Sequence, residues 1–134
     1  MSDVITVPVS FGEVLDKITI LEIKSERISD PAKLVNVRKE LQELGKVWDA
    51  AIKDPGLIAE DREALKAINE KLWVIEDDIR DCEAAQDFGP RFIELARAVY
   101  FTNDRRAAVK KKINLALGSA YVEEKSYQDY TARK

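Results

Sequence analysis

The chain has 134 residues, of which 46% are hydrophobic and 35% charged, and its net charge is −3. This length and composition are typical of one helical domain with its own core, so we assign residues 1–134 to a single domain. The slight acidity argues against nucleic acid and anionic membranes as partners. The sequence contains no histidine, which excludes Ser-His-Asp and Cys-His catalysis and any histidine metal ligand.

The chain also lacks the usual signals for export or membrane insertion. No charged segment followed by an apolar one opens the sequence, and no apolar run approaches the roughly 18–20 residues that span a bilayer. The single cysteine, Cys82, fits a reducing compartment. We therefore expect a cytoplasmic protein.

The N-terminal part of the chain predicts an extended arm followed by a helix. Residues 2–9 are rich in β-branched side chains and contain a proline, which favours an extended arm or a short edge strand. Ser10 and Glu13 have the spacing of a capping box. Helix 1 should therefore run from Phe11 to Ile28.

Three further helices follow from apolar residues that alternate in steps of three and four. Asp30 and Pro31 open helix 2, a "KDPG" turn separates helix 2 from helix 3, and "FGP" precedes helix 4, which should end at Gly118. Short connections make neighbouring helices antiparallel, so the predicted fold is an all-α, antiparallel four-helix up-down bundle. We expect helix 3 to be the longest, and the tyrosine-containing tail, residues 119–134, to lie across the bundle.

Single residues add detail to this prediction. Trp48 and Cys82 occupy apolar positions and should be buried. Gly45 lies within helix 2, where glycine costs roughly 1 kcal/mol against alanine. We therefore expect a close backbone approach at Gly45.

Helix 1 is apolar on two faces, which an outer helix of a monomer does not need. Ile20 and Ile23 lie opposite the face that carries Ile18 and Leu21. Either the arm and tail cover these isoleucines, or a second subunit does. Trp73, beside the apolar seam of helix 3, joins Ile20 and Ile23 as a candidate interface residue.

Glu22 falls within the main apolar face of helix 1 and needs a partner there. Counting residues outward from each turn places it level with helix 4 near Thr102. Helix 4 breaks its apolar pattern at this height, because Thr102 and Arg106 hold core positions. We predict that Glu22 pairs with Arg106, with Ser25 nearby.

Two interpretations of this polar layer remain open. It is either a buried ion pair that fixes the packing of the helices, or the wall of a small ligand-binding pocket in which Glu22 is the candidate catalytic acid or base. The candidate ligand-binding residues are Lys17, Glu22, Thr102, Asn103, Asp104, Arg105 and Arg106.

Charged segments elsewhere have simpler explanations. The basic residues of 105–112 carry no interleaved aromatic residues, so they do not indicate nucleic-acid binding. Glu40 with Glu43 and Glu60 with Glu63 repeat the ExxE spacing of magnesium-dependent helical hydrolases, but no ExxD pair accompanies them. We predict no metal site and no cofactor.

Two blocks resemble a bacterial family known only as a domain of unknown function. The first is "VPVSFGEVLDKITILEIKSERI" with "KLVNVRKEL", and the second is "NDRRAAVKKKIN" followed by "GSAYVEEKSY". The resemblance covers nearly the whole chain. It implies a cytoplasmic accessory role, because relatives tend to occur beside genes for surface polysaccharide synthesis and glycosyltransferases.

Two functions are therefore expected. The first is a helical interaction or accessory protein, a homodimer with a protein partner in glycan synthesis. The second is a small enzyme or binding protein for a phosphorylated or sugar-nucleotide metabolite, with its pocket at Glu22 and Arg106. The sequence leaves open whether the protein is an enzyme.

Overall fold

The computed structural model describes residues 3–130, which fold into four α-helices and one 3-10 turn. The helices are α1 (Phe11–Arg27), α2 (Pro31–Ala51), α3 (Ala59–Ala84) and α4 (Pro90–Leu117), and the 3-10 turn covers Pro55–Ile58. This part of the chain contains no strand. The prediction of an all-α helical bundle is confirmed, and none of the described helices is long and apolar enough to cross a membrane.

The helix ends follow the capping residues that the sequence indicated. The hydroxyl of Ser10 accepts a hydrogen bond from the backbone N–H of Glu13 at 3.2 Å, and Asp30 accepts one from Ala32 at 3.0 Å. Gly118 ends α4 with φ of 69°, a left-handed conformation that glycine adopts without strain. Local chemistry therefore sets the bounds of α1, α2 and α4.

The relative lengths of the helices differ from the prediction. α4 has 28 residues and α3 has 26, so α4 and not α3 is the longest. α4 passes through Asn103 and Asp104 without interruption. Asn103 and Asp104 therefore lie inside one continuous helix, and α4 does not break at these polar residues.

Most of the buried apolar side chains fall into two groups. The larger lies where α1 and α3 begin and α2 and α4 end, and it includes Trp48 as predicted; its buried members are Leu15, Ile18, Trp48, Ile52, Ile58, Leu65 and Ile113. The smaller joins α3 to α4 near their connection and consists of Ile75, Cys82 and Leu95. Along α3 and α4, polar residues separate the two groups.

α1 is the central helix, because it packs against each of the other three. In the described part of the chain, the backbone of α2 comes close to no other helix than α1. This position explains why α1 is apolar on two faces: one face meets the larger core group, and the other, which carries Ile20 and Ile23, meets α3 and α4.

The arm and the tail flank these helices. Residues 3–10 form no regular secondary structure, and Val4, Ile5 and Val7 are exposed. The tail lies along α4, where the hydroxyl of Tyr130 donates to the carboxylate of Asp104 at 2.6 Å and Glu123 pairs with Lys110. Residue 2 of the predicted arm and residues 131–134 of the predicted tail lie outside the described residues.

The close backbone approach occurs at Gly12 and not at Gly45. No atom of a neighbouring element lies within 4 Å of a Cβ built on Gly45, so that prediction is wrong. A Cβ on Gly12 would lie 2.6 Å from the backbone oxygen of Lys110, and the N–H of Gly12 donates to the side-chain oxygen of Asn114 at 2.6 Å. Gly12 therefore allows α1 to touch the backbone of α4.

We predict opposite effects from alanine at these two glycines. Gly12→Ala should lower the free energy of unfolding by about 1–3 kcal/mol, because the added methyl group meets a backbone atom that cannot rotate away. Gly45→Ala should raise it by about 0.5–1 kcal/mol through helix propensity. Urea unfolding measures both, and equal effects at the two positions would contradict the crossing described here.

Candidate functional site

One face of α1 carries the residues that build the site. Asp16, Thr19 and Ile23 are buried and Ile20 is half-buried, and their spacing of three and four places them on one side of the helix. α4 presents a matching polar stripe at Asn103, Arg106, Lys110 and Asn114. These two surfaces face each other over the second half of α4.

Asp16 is the centre of the site. Its side chain is 3% exposed, and its carboxylate accepts hydrogen bonds from Nε of Arg106 at 2.8 Å and from Nη2 of the same guanidinium. The side-chain amide of Asn69 donates to Asp16 Oδ1 at 3.0 Å and to the hydroxyl of Thr19, also at 3.0 Å. A bidentate arginine pair is the strongest arrangement available to a buried carboxylate.

Lys110 adds a second buried cation one turn further along α4. Its side chain is 9% exposed, and its ammonium group lies 2.8 Å from Glu13, 3.2 Å from Glu123 and 3.9 Å from Asp16. Burial alone would lower the pKa of Lys110, but its hydrogen bond to Glu13 and the charge of Asp16 outweigh burial and raise it. Lys110 therefore keeps its charge in the interior.

Arg106 is fixed along one edge and accessible along the other. Its hydrogen bonds to Asp16 raise its pKa, and its side chain is 27% exposed. Nη1, on the edge away from Asp16, donates to the side-chain oxygen of Asn103 at 3.4 Å. The guanidinium is therefore held in place while part of its donor capacity faces solvent.

A groove of about 550 Å³ opens beside Arg106, between α1, α3 and α4. Ile20, Ile23, Leu72 and Trp73 form its apolar wall. Its polar lining consists of Asn69, Glu76, Asp77, Arg80, Asn103 and Arg106. Ligand sites are usually concave spaces of this size with a few fixed polar groups.

Two further spaces touch the same arginine. One, of about 510 Å³, lies between α4 and the tail and is lined by Asn103, Arg106 and the tail residues Lys125, Tyr127 and Tyr130, among others. The other, of about 70 Å³, lies between Arg106, Lys110 and Glu123. Asn103 and Arg106 are lining residues of all three spaces.

The predicted pairing of Glu22 with Arg106 is wrong, because Asp16 occupies that place. Glu22 instead lies 3.5 Å from Arg62 of α3, and both side chains are about one-third exposed. Ser25 donates to the backbone oxygen of Glu22. Counting residues from the turns gave the wrong pairing because α1 has another acid, Asp16, on the face that meets α4.

The other candidate ligand residues lie in different places. Lys17 pairs with Glu40 of α2 at 2.8 Å, away from the groove. Thr102 is buried and, with the exposed Arg105, lines a separate space on the outer side of α4. Asp104 binds Tyr130 of the tail. Of the candidates, Asn103 and Arg106 are the two that line the groove.

The three candidate interface residues line this groove. Ile23 is 2% exposed, and Ile20 and Trp73 are half-buried. Leu72 and Trp73 of α3 face the two isoleucines across the groove, so burial of Ile23 requires neither the tail nor a second subunit. The three residues predicted to form an interface therefore line the same groove as Asn103 and Arg106, which were predicted to bind a ligand.

Sequence reasoning missed Asp16, Asn69, Lys110 and Glu123. The spacing of Asp16 with Thr19, Ile20 and Ile23 was a usable signal, since it places the acid on the same face as two large apolar residues. The alignment of Asn103, Arg106, Lys110 and Asn114 on α4 was a second signal. Asn69 and Glu123 carried none, because their role depends on how α3 and the tail pack.

The fold and the site together define a small all-α protein with a charged layer across its interior and a groove beside that layer. The chain belongs to a family of unknown function, DUF6165, whose model matches residues 5–133. Comparisons with curated proteins and with solved structures gave no significant match.

We predict that Asp16 and Glu22 differ in their effect on stability. Asp16→Asn should lower the free energy of unfolding by about 3 kcal/mol, because it leaves Arg106 without its buried counter-charge. Glu22→Gln should cost less than about 1 kcal/mol, since its pair with Arg62 is long and partly exposed. Urea unfolding at neutral pH measures both variants, and a larger loss in Glu22→Gln would refute this assignment.

Proposed function

We propose that this protein binds a sugar-containing metabolite in the groove beside Arg106, as an accessory to polysaccharide synthesis. The observation that carries the proposal is the arrangement of Arg106, which buried Asp16 holds in two hydrogen bonds while Arg106 and Asn103 both line the groove. A donor fixed in this way loses little conformational freedom when a ligand binds.

The composition of the groove favours a sugar ring over a purely apolar ligand. Trp73 and the two isoleucines offer an apolar surface to the C–H face of a ring, while Asn69, Asn103 and Arg106 offer donors and acceptors to its hydroxyl groups. Asp16 already neutralises Arg106, and Glu76 and Asp77 add negative charge at the rim. An uncharged polyhydroxylated ring therefore fits this groove better than an anionic group does.

Asp16 and Glu22 are both committed to arginine side chains, which argues against a catalytic role for these two carboxylates. Asp16 is the one acidic residue that is fully buried among residues 3–130, and its carboxylate is committed to Arg106 and Asn69. Glu22, the acid or base of the enzyme hypothesis, is paired with Arg62 and is not a lining residue of the groove. Neither carboxylate is placed to exchange a proton with a ligand there.

We expect binding of free monosaccharides or nucleotide sugars to depend on the groove. Trp73→Leu and Asn103→Ala should each weaken the affinity about tenfold, the effect of losing one contact worth about 1.4 kcal/mol. Arg105→Ala is the matched control, because Arg105 neighbours Arg106 in sequence but lies on the outer side of α4. Isothermal titration against a panel of sugars measures these affinities.

Two results would count against this function. The first is that no member of the panel binds the wild-type protein. The second is that Trp73→Leu binds as tightly as the wild type, which would place the ligand elsewhere on the surface.

A second candidate function is a homodimeric interaction protein, which a surface on the outer side of α4 favours. Ile93 and Phe101 are exposed there beside Pro90. Lys71, Arg97 and Glu94 line the same space. A second copy related by a two-fold axis would bring cations opposite carboxylates around this apolar centre.

Light scattering at micromolar concentration tests the dimer. We expect twice the chain mass for the wild type and the monomer mass for Ile93→Asp, because a charge at the centre of an apolar contact is left without solvent or partner. Val35→Asp, at an exposed valine of α2, should remain dimeric. A monomeric wild type would refute the dimer and leave the sugar-binding proposal standing.

A further inference from the structure

The small space beside Arg106 differs in chemistry from the groove. Its volume is about 70 Å³, and its lining residues are Asn103, Arg106, Ala107, Lys110, Glu123 and Lys125. Three of these are cations and one is a carboxylate. The space is several times smaller than the groove of about 550 Å³ and its charged lining is mainly cationic, so it suits a small anionic group better than a sugar ring.

Glu123 is the anion that these cations hold in this structure. Its carboxylate lies 3.2 Å from Lys110 and 3.2 Å from Lys125. These two ammonium groups, Lys125 first and Lys110 second, lower the pKa of Glu123. The site therefore stabilises a negatively charged oxygen pair at this position.

Glu123 differs from the other two anions around Lys110 because it does not belong to a helix. Asp16 is buried on α1, and the backbone of Glu13 is likewise held in that helix, although its side chain is 50% exposed. Glu123 belongs to residues 119–129, which have no regular secondary structure, and its side chain is 43% exposed. An incoming anion can take its place while the four helices stay where they are.

We propose that this space is an anion subsite, which binds the carboxylate or phosphate group of an acidic sugar metabolite by displacing Glu123. This inference rests on the proposed sugar-binding function and adds the ligand's charge to it. Asn103 and Arg106 line both the groove and the subsite, so the ring and the acidic group of one ligand would contact the same two residues. Glu123 then acts as a built-in competitor that weak or uncharged ligands do not displace.

Titration with inorganic phosphate and with acetate tests the subsite without knowledge of the sugar. Glu123→Gln should bind its preferred anion about tenfold more tightly than the wild type, because the competing carboxylate, worth about 1.4 kcal/mol or more as a charged hydrogen-bond partner, is gone. Glu124→Gln, at the exposed neighbouring carboxylate, is the control and should bind like the wild type. Preference for phosphate or acetate identifies the acidic group.

Limited trypsin digestion gives a second readout that needs no sugar. Relative to cleavage after Lys53, cleavage after Lys125 should be faster in Glu123→Gln than in the wild type, because the tail loses its ion pair with Lys110. Bound phosphate or acetate should slow this cleavage in Glu123→Gln, because Lys125 lines the subsite. Equal anion affinity in Glu123→Gln and the wild type, or a cleavage rate that anions do not change, would overturn the subsite.

The outcomes separate this inference from the function on which it rests. If acidic and uncharged sugars each bind equally well to the wild type and to Glu123→Gln, the groove is supported as the sugar-binding site and the anion subsite is refuted. Anion binding that depends on Glu123, with no sugar bound by any variant, would support the subsite and refute the sugar-binding function.

Discussion

The contact between the carboxylate of Asp16 and the guanidinium of Arg106 joins the central helix to the longest one. A buried carboxylate is costly unless cations and donors surround it, and α4 supplies Arg106 and Lys110 while α3 supplies Asn69. One turn before Asp16, Gly12 lets α1 lie against the backbone of α4, the helix that carries Arg106 and Lys110. The same contact leaves the Arg106 side chain 27% exposed, and Arg106 lines the groove.

Much of the fold could be predicted from the sequence because its signals are local. The residues that begin and end the helices act through their own backbone, so Ser10, Asp30 and Gly118 marked helix ends correctly. Apolar periodicity likewise placed Trp48 and Cys82 in the interior. The close approach at Gly12 could not be predicted in this way, because the residues around a glycine do not indicate which helix packs against it.

The site was harder to predict because it depends on the rotation of helices about their axes. Arg106 and Asn103 stood out as polar residues in an apolar pattern, and both line the groove. The acid that meets Arg106 was assigned to Glu22, although Asp16 also lies on an apolar face. A helix that packs on two sides has two such faces, and the sequence alone does not say which one meets α4.

The lengths of the helices have a consequence for motion. At about 1.5 Å per residue, α1 extends about 26 Å while α4 extends about 42 Å, so the connected ends of α3 and α4 project beyond the central helix. The fully buried apolar residues that join them there are few: Ile75, Cys82 and Leu95. Amide hydrogens near that end should therefore exchange through partial opening of the pair, while those around Asp16 exchange only when the whole molecule unfolds.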